Sequence, residues 1–287
     1  MLAMQSPNPT HNHLDAAAVA AHATQIRRLA LEMVTRARAS HIGSALSIVD
    51  ILATLYGGAM NYDALDPGAP WRDRFILSKG HACVGVYATL AEFGVIPESL
   101  LQEYGQDFSI LMHHISHKVP GVEFSTGSLG HGLPFGVGKA MAAKRKGYDW
   151  RTFVLLGDGE MAEGSNWEAM LIASHHKLDN LVAIVDCNNL QSLTTVEATL
   201  GIEPLADKIR AFGWHVLEID GHDYGQIHAA MSRSEARAKA PTMIIARTTK
   251  GKGVAFMEDQ VAWHYKSPTA EQLAEALAGL PSSIVNG

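Results

Sequence analysis

The chain has 287 residues, 47% hydrophobic and 18% charged, enough to bury one large core or two modest ones. Lys plus Arg number 23 against 29 Asp plus Glu, a net charge of -6 with no basic block, which argues against nucleic-acid binding. No run approaches the ~20 consecutive apolar residues of a membrane span, and the opening MLAMQSPNPTHNHLD lacks the basic-then-apolar order of a signal peptide.

Residues 1–23 read as a flexible N-terminal segment, with Pro7, Pro9 and the stretch Thr10 to His13. From Thr24 the apolar positions Ile26, Leu29, Ala30, Met33, Val34 and Ala37 recur at helical spacing. SALSIVDILATLYGG reads as a second helix, ended by Gly57 and Gly58. Arg74 to Leu77 is a short apolar run that stops at Ser78-Lys79-Gly80-His81, and a helix follows through Phe93. Residues 105–135 are rich in His and Gly without periodicity, and a loop this long inside a domain is usually functional.

Beyond it the alternation becomes regular. Leu133 to Lys146 reads as helix, Thr152 to Leu156 as strand, and Ser165 to Lys177 as helix with Ser165 and Glu168 in a capping-box pattern. Leu181 to Asp186, Trp214 to Ile219 and Thr242 to Ala246 read as further strands, with helices before and between the last two. Strands apolar on both faces and separated by helices predict an α/β fold, a parallel sheet flanked by helices. The main domain is expected over 24–268, with a C-terminal helix and tail over 269–287. Cys83 and Cys187 sit in apolar surroundings and read as buried thiols of a reduced cytoplasm. Of the 15 histidines, His41, His81, His131 and His222 lie in glycine-containing turns, where an imidazole can point at a ligand.

Ligands of open α/β sheets bind outside the carboxyl ends of strands. FVLL runs into Gly157-Asp158-Gly159-Glu160-Met161-Ala162-Glu163-Gly164, and LVAIVD runs into Cys187-Asn188-Asn189-Leu190. Asp158 and Asn188 offer hard oxygens, and a nearby backbone carbonyl adds a third. A few hard oxygens with positions left for phosphate and water suit Mg²⁺ rather than zinc. The helix after Glu163 aims its first N–H groups at the same place, so a diphosphate held through Mg²⁺ is the natural occupant.

GDG, then 28 residues, then Asn188-Asn189 resembles the thiamine-diphosphate motif. SHIGSALSIVDILATLY, RFILSKGHACVGVYATLAEFG, PGVEFSTGSLGHGLPFGVGKAMAAK and TTKGKGVAFMED followed by WHYKSP are similar to blocks of the transketolase family, in that family's order. The length resembles the N-terminal subunit of split transketolases. The resemblance implies the thiamine-diphosphate-binding fold, its diphosphate-binding domain, and ketol transfer from a ketose phosphate to an aldose phosphate. It implies thiamine diphosphate and Mg²⁺ as cofactors. It also implies a partner subunit carrying the pyrimidine-binding and C-terminal domains; a cytoplasmic heterotetramer fits that pairing, with the stoichiometry left open. Asp158, Asn188 and the Leu190 carbonyl would hold the metal. Gly157 and Gly159 would lie at the diphosphate, reached also by His81 and His264, and Gly127 and Leu129 at the aminopyrimidine. Glu163 matches a glutamate of the dimer interface, in a carboxylate network between the two cofactors. His41, His81, His114 and His264 match a ring of histidines around the thiazolium and the sugar hydroxyls. His113, His114 and His117 compete for one place in that ring, and spacing to Pro120-Gly121-Val122-Glu123 selects His114. Imidazole suits a reaction that moves protons near neutral pH.

Two positions depart from the family's pattern. Ile115 stands where proline is usual and Tyr265 where glycine is usual, both beside residues expected to line the substrate channel. The sugar acted on is thereby left open. Two other readings keep the fold. One is a related thiamine-diphosphate synthase of the 1-deoxyxylulose-5-phosphate type, which needs no ring of four histidines. The other is a non-catalytic interaction protein, against which Asp158 and Asn188 both stand. After Lys252-Gly253 only 34 residues remain, too few for another α/β domain, so this chain is expected to be inactive alone.

Overall fold

In the computed structural model, which describes residues 13–232 and 239–281, the apolar runs form five strands. They are β1 (Arg74–Leu77), β2 (Thr152–Gly157), β3 (Leu181–Cys187), β4 (His215–Asp220) and β5 (Thr242–Arg247). Every pairing is parallel, in the order β1-β2-β3-β5-β4. The two-residue side-chain period divides each central strand between two cores. Phe153, Leu155, Ile184 and Ile244 face one, while Val154, Leu156, Val185 and Ile245 face the other. Strands buried on both sides need helices on both sides, which is why they read as unbroken apolar runs. On the first face pack α1 (Ala16–Ala37), α3 (Val49–Thr54), α4 (Cys83–Glu92), α9 (Tyr224–Met231) and α10 (Ala270–Gly279); on the second, α5 (Gly132–Lys146), α6 (Gly164–His175), the short α7 (Val196–Leu200) and α8 (Leu205–Ala211). Strand β4 is an edge and is only partly buried.

Several expectations need correction. Helix α1 starts at Ala16, not Thr24, with Asp15 capping it by accepting from the Ala18 N–H at 2.8 Å. Residues 16–23 thus belong to the helix, and Val19 and Ala23 are buried in the core. The alanine-rich start is a good helix former but shows no apolar periodicity, so the pattern missed it. Residues 1–12 lie outside the described residues. The predicted second helix is broken into α2 (Ile42–Leu46), α3 and a π-turn over Leu55–Ala59. At the break the Ser47 hydroxyl donates to Asp186 Oδ2 at 2.6 Å. The segment Ile42–Ala59 is long and apolar enough to cross a membrane by composition, yet 94% of it is buried inside this fold.

The Ser165–Glu168 capping box does not form. Glu163 is the N-cap of α6, and Ser165 Oγ instead donates to the Gly130 carbonyl at 2.7 Å. A capping box does form at Thr269 and Gln272, opening α10. That helix is no loose tail, since Ala276 and Leu280 join the core that holds α1. Cys83 and Cys187 are free and buried.

Candidate active site

Parallel strands put all their carboxyl ends at one edge of the sheet, and the chain turns there into polar, glycine-rich segments. Beyond β1, Gly80 lies so close to Thr126 that a Cβ would stand 2.3 Å from the Thr126 carbonyl oxygen. Only glycine permits this approach, which brings the turn carrying His81 against the 125–130 loop. Glu160, just after β2, is buried and ties three of these segments together. It accepts from the Ser78 hydroxyl, from the Gly130 N–H at 2.8 Å and from the Gly157 N–H at 3.1 Å.

The four histidines come from four segments far apart in sequence. His41 stands at the start of α2 with φ 74°, a left-handed conformation that costs a non-glycine residue about 1–3 kcal/mol. Its N–H donates to the His264 carbonyl at 2.8 Å, which fixes the two turns together. The His41 ring centroid lies 5.2 Å from His81, 5.8 Å from His114 and 5.0 Å from His264. His113 instead turns to Tyr104, with centroids 5.2 Å apart, and the His117 ring bonds to Ser125 Oγ at 2.7 Å.

Burial favours the uncharged form of each ring. Burial, helped by His114 and nearby lysines, lowers His41 to about 4. Burial and Lys250 lower His264 to about 3. His81 is held well below its ordinary value by burial and Lys79, and His114 is lowered by burial and His113. The sequence reading relied on the unperturbed imidazole value; the site itself favours uncharged rings.

Beside them stand the predicted metal ligands. Asp158 is buried and accepts backbone N–H groups from Gly159 at 2.7 Å and Asn189 at 2.5 Å. Burial and the charge of Asp186 push its carboxyl up to about 6. Asn188 donates through Nδ2 to Asp186 Oδ2 at 3.0 Å, and its Oδ1 accepts from the Leu190 N–H at 3.1 Å. Lys79 pairs with the fully buried Asp186. Burial alone would raise Asp186, but Lys79, Ser47 and Thr248 hold it below the usual carboxylate range. The Lys250 ammonium donates to the carbonyls of Leu190 at 3.2 Å and Gln191 at 2.9 Å, and lies 3.0 Å from His264 Nδ1.

One cleft of about 270 Å³ is lined by His41, His81, His114, Gly127, Leu129, Gly157, Asp158, Gly159, Asn188, Leu190 and His264, all singled out from sequence. Tyr265 joins them, 59% exposed, its ring 4.8 Å from His264 and 6.0 Å from His41. Glu163 does not line the cleft and is exposed at the start of α6. Ile115, expected to flank the channel, is buried in the core at 2% exposure, so its side chain plays no part there. His131 is exposed, and His222 faces a separate surface crevice.

Sequence reasoning missed Ser44, Lys79, Glu160, Gln191 and Ser192 as lining residues, and Asp186 and Lys250 behind them. A lysine inside each of the glycine-rich turns SKGH and TKGKG was the available signal. Among the described residues no cluster of three His, Cys, Asp or Glu side chains is arranged to hold a metal. The oxygens on offer are one carboxylate, one amide and one backbone carbonyl.

The fold and cleft define a parallel α/β domain with a polar, histidine-lined cleft at the carboxyl ends of its strands. The family model "Transketolase, thiamine diphosphate binding domain" matches residues 18–278. An apulose-4-phosphate transketolase subunit of Phocaeicola vulgatus is 44% identical over 258 residues, covering 90% of this chain and 92% of that one. The 6-deoxy-6-sulfo-D-fructose transketolase subunit SqwG of a Clostridium species is 39% identical, covering 90% and 94%. The crystal structure of transketolase from Campylobacter jejuni superposes with a TM-score of 0.87 at 32% identity, over 95% of this chain but only 44% of that one. The chain belongs to the transketolase family, as its thiamine-diphosphate-binding domain. It spans less than half the length of the Campylobacter enzyme, but nearly the full length of the relatives named as transketolase subunits.

Proposed function

We propose that this chain is the cofactor-binding subunit of a two-chain transketolase. It holds thiamine diphosphate through Mg²⁺ and works with a partner subunit that carries the pyrimidine-binding and C-terminal domains. Together they move a two-carbon ketol unit from a ketose phosphate to an aldose phosphate. The observation that carries this reading is the meeting of four imidazoles with Asp158, Asn188 and Leu190 on one cleft. Support for the partner comes from the relatives matched over nearly their full length, which are named as transketolase subunits.

The donor set fits the metal. Asp158 is a buried carboxylate whose hydrogen-bond partners are backbone N–H groups, so its charge calls for a cation. Asn188 has its amide nitrogen committed to Asp186, which defines Oδ1 as the acceptor. The Leu190 carbonyl already receives one cation, the Lys250 ammonium. Such oxygens suit Mg²⁺, with phosphate and water completing the shell.

Bound thiamine diphosphate supplies the electron sink for carbon–carbon cleavage. This chain supplies orientation and proton handling. His264 Nδ1 faces the Lys250 ammonium, so its proton sits on Nε2, where it can donate to a sugar oxygen. His41, His81 and His114, uncharged, accept or return hydroxyl protons. Glu163 lies outside this cleft; its exposure at the start of α6, a helix that also exposes Leu171 and Ile172, suits contact with another protein chain.

The test is product analysis with a ketose phosphate donor and a panel of aldose phosphates, using both chains with thiamine diphosphate and Mg²⁺. Transfer of a two-carbon unit is expected. Condensation of pyruvate with an aldehyde phosphate instead would favour the synthase reading, and no cofactor binding by the assembled pair would overturn the assignment.

A further inference from the structure

His222, set in a Gly-His turn, does not enter the cleft. Its ring lines a surface crevice with Thr249 and Lys252 and makes two bonds. Nδ1 lies 2.7 Å from Asp50 Oδ2, and Nε2 accepts from the Thr249 N–H at 2.9 Å. A backbone N–H can only donate, so Nε2 carries no proton, and the single imidazole proton sits on Nδ1 and is given to Asp50. Asp50 is itself fixed by Arg27 Nη2 at 2.6 Å and by the Tyr224 hydroxyl at 2.8 Å. The residue after Thr249 is Lys250, whose ammonium meets Leu190, Gln191 and His264. Nearby bonds clamp the same segment. Gly251 N–H donates to the Gly43 carbonyl at 3.0 Å, and Arg27 Nε donates to the Lys252 carbonyl at 3.1 Å. Gly251 has φ +82°, and a Cβ there would stand 2.4 Å from the Met257 carbonyl oxygen, so the turn has little freedom.

We infer that Asp50 and His222 form a positioning pair: Asp50 fixes the imidazole tautomer, His222 Nε2 holds the Thr249 backbone, and Lys250 is thereby set against His264 and the Leu190 carbonyl. Neither residue touches the cofactor site. They act on it through one backbone N–H and one lysine. The inference rests on the proposed function for its effect on cofactor binding, but not for the tautomer itself.

Two substitutions separate the ring's two bonds. In His222→Gln the side-chain oxygen reaches the place of Nε2 and can accept from Thr249, while the bond to Asp50 is lost. In His222→Asn the amide reaches the place of Nδ1 and can donate to Asp50, while Thr249 loses its acceptor. Each variant, assembled with the partner subunit, is titrated with Mg²⁺ and thiamine diphosphate by calorimetry, and its melting temperature is measured. Loss of an outer hydrogen-bond partner at a metal or catalytic site typically costs about 10–100-fold. His222→Asn is therefore expected to weaken cofactor binding about 10-fold, and His222→Gln far less, although both lose one bond and some melting temperature. Equal cofactor affinities for the two variants would overturn the inference. Independently, ¹⁵N spectra of the wild-type chain should show His222 Nε2 unprotonated, and His264 Nδ1 should shift in His222→Asn but not in His222→Gln. A protonated His222 Nε2 with a deprotonated Nδ1, or an unmoved His264 signal in His222→Asn, would also overturn it. If the wild-type assembly binds no cofactor, the proposed function fails, and the spectra still decide the positioning pair.

Discussion

The amide nitrogen of Asn188 donates to Asp186 Oδ2 at 3.0 Å, two residues back along the chain. Asp186 is fully buried at the end of β3 and also accepts from Lys79, Ser47 and Thr248. It therefore orients a proposed metal ligand, Asn188, without lining the cleft. Asp158, by contrast, lines the cleft and is held only by backbone donors. One carboxylate is committed to the scaffold, while the other is available to a cation.

Replacing Asp158 by Ala should abolish Mg²⁺-dependent binding of thiamine diphosphate. Removing the anionic ligand leaves Mg²⁺ with one charge fewer to balance it. The loss should exceed the ~10–100-fold that follows removal of an outer partner of a ligand. Calorimetric titration of the two-chain assembly checks this, and an unchanged affinity would sink the metal assignment.

Asp186→Ala should act on stability first. It strips the buried Lys79 of its ion-pair partner. Breaking a buried pair from one side costs about 3–5 kcal/mol. Denaturant unfolding of the chain measures the cost; a shift below about 1 kcal/mol, typical of exposed pairs, would show that water reaches Lys79.

Stability of this chain without ligands should fall in mild acid. His41 stands at about 4 in the folded chain against an ordinary value of 6.5, so folding suppresses its proton uptake. The unfolded state then binds more protons below that ordinary value, and stability rises with pH across the interval. His264, at about 3, adds to the same slope. The contribution is fully present above pH 6.5 and is lost as pH falls toward 4. Melting temperatures across this range should decline with acid, and more shallowly in His41→Asn, which has no imidazole at that position to titrate. Equal slopes would show that His41 is not desolvated.

Tyr265→Gly should change sugar preference more than cofactor affinity. Its ring is exposed at the mouth of the cleft beside His41 and His264, whereas the proposed metal ligands lie at the ends of β2 and β3. The ratio of kcat/KM between good and poor sugar phosphates should move roughly 10-fold, the scale set by one pocket contact. Equal changes for every sugar, or a main effect on thiamine diphosphate, would count against this role.

The purified chain should show no ketol transfer until its partner is added. Glu163 is exposed and does not line this cleft, and the relatives matched over nearly their full length are named as transketolase subunits. Turnover by the isolated chain at saturating cofactor would refute the two-chain reading.

The sequence by itself determined the strands, because β2 and β3 are buried on both sides and so had to be continuous apolar runs. It also determined the two strand ends, since GDG and Asn188-Asn189 follow those runs directly. The meeting of His41, His81, His114 and His264 was legible only through resemblance; nothing local says that turns 40 to 223 residues apart bring the other three rings within 6 Å of His41. Tertiary structure alone decided which residues between and behind these marks matter. Ile115 stands next to His114, yet its side chain turns into the core. Lys79, Lys250 and Glu160 looked like ordinary charged turn residues, and burial gives them their partners. The Asp50–His222 contact joins residues 172 positions apart. Periodicity reports which face of an element is apolar. A buried polar group reports instead on the donor or acceptor that folding brings to it, and that partner lies elsewhere in the chain.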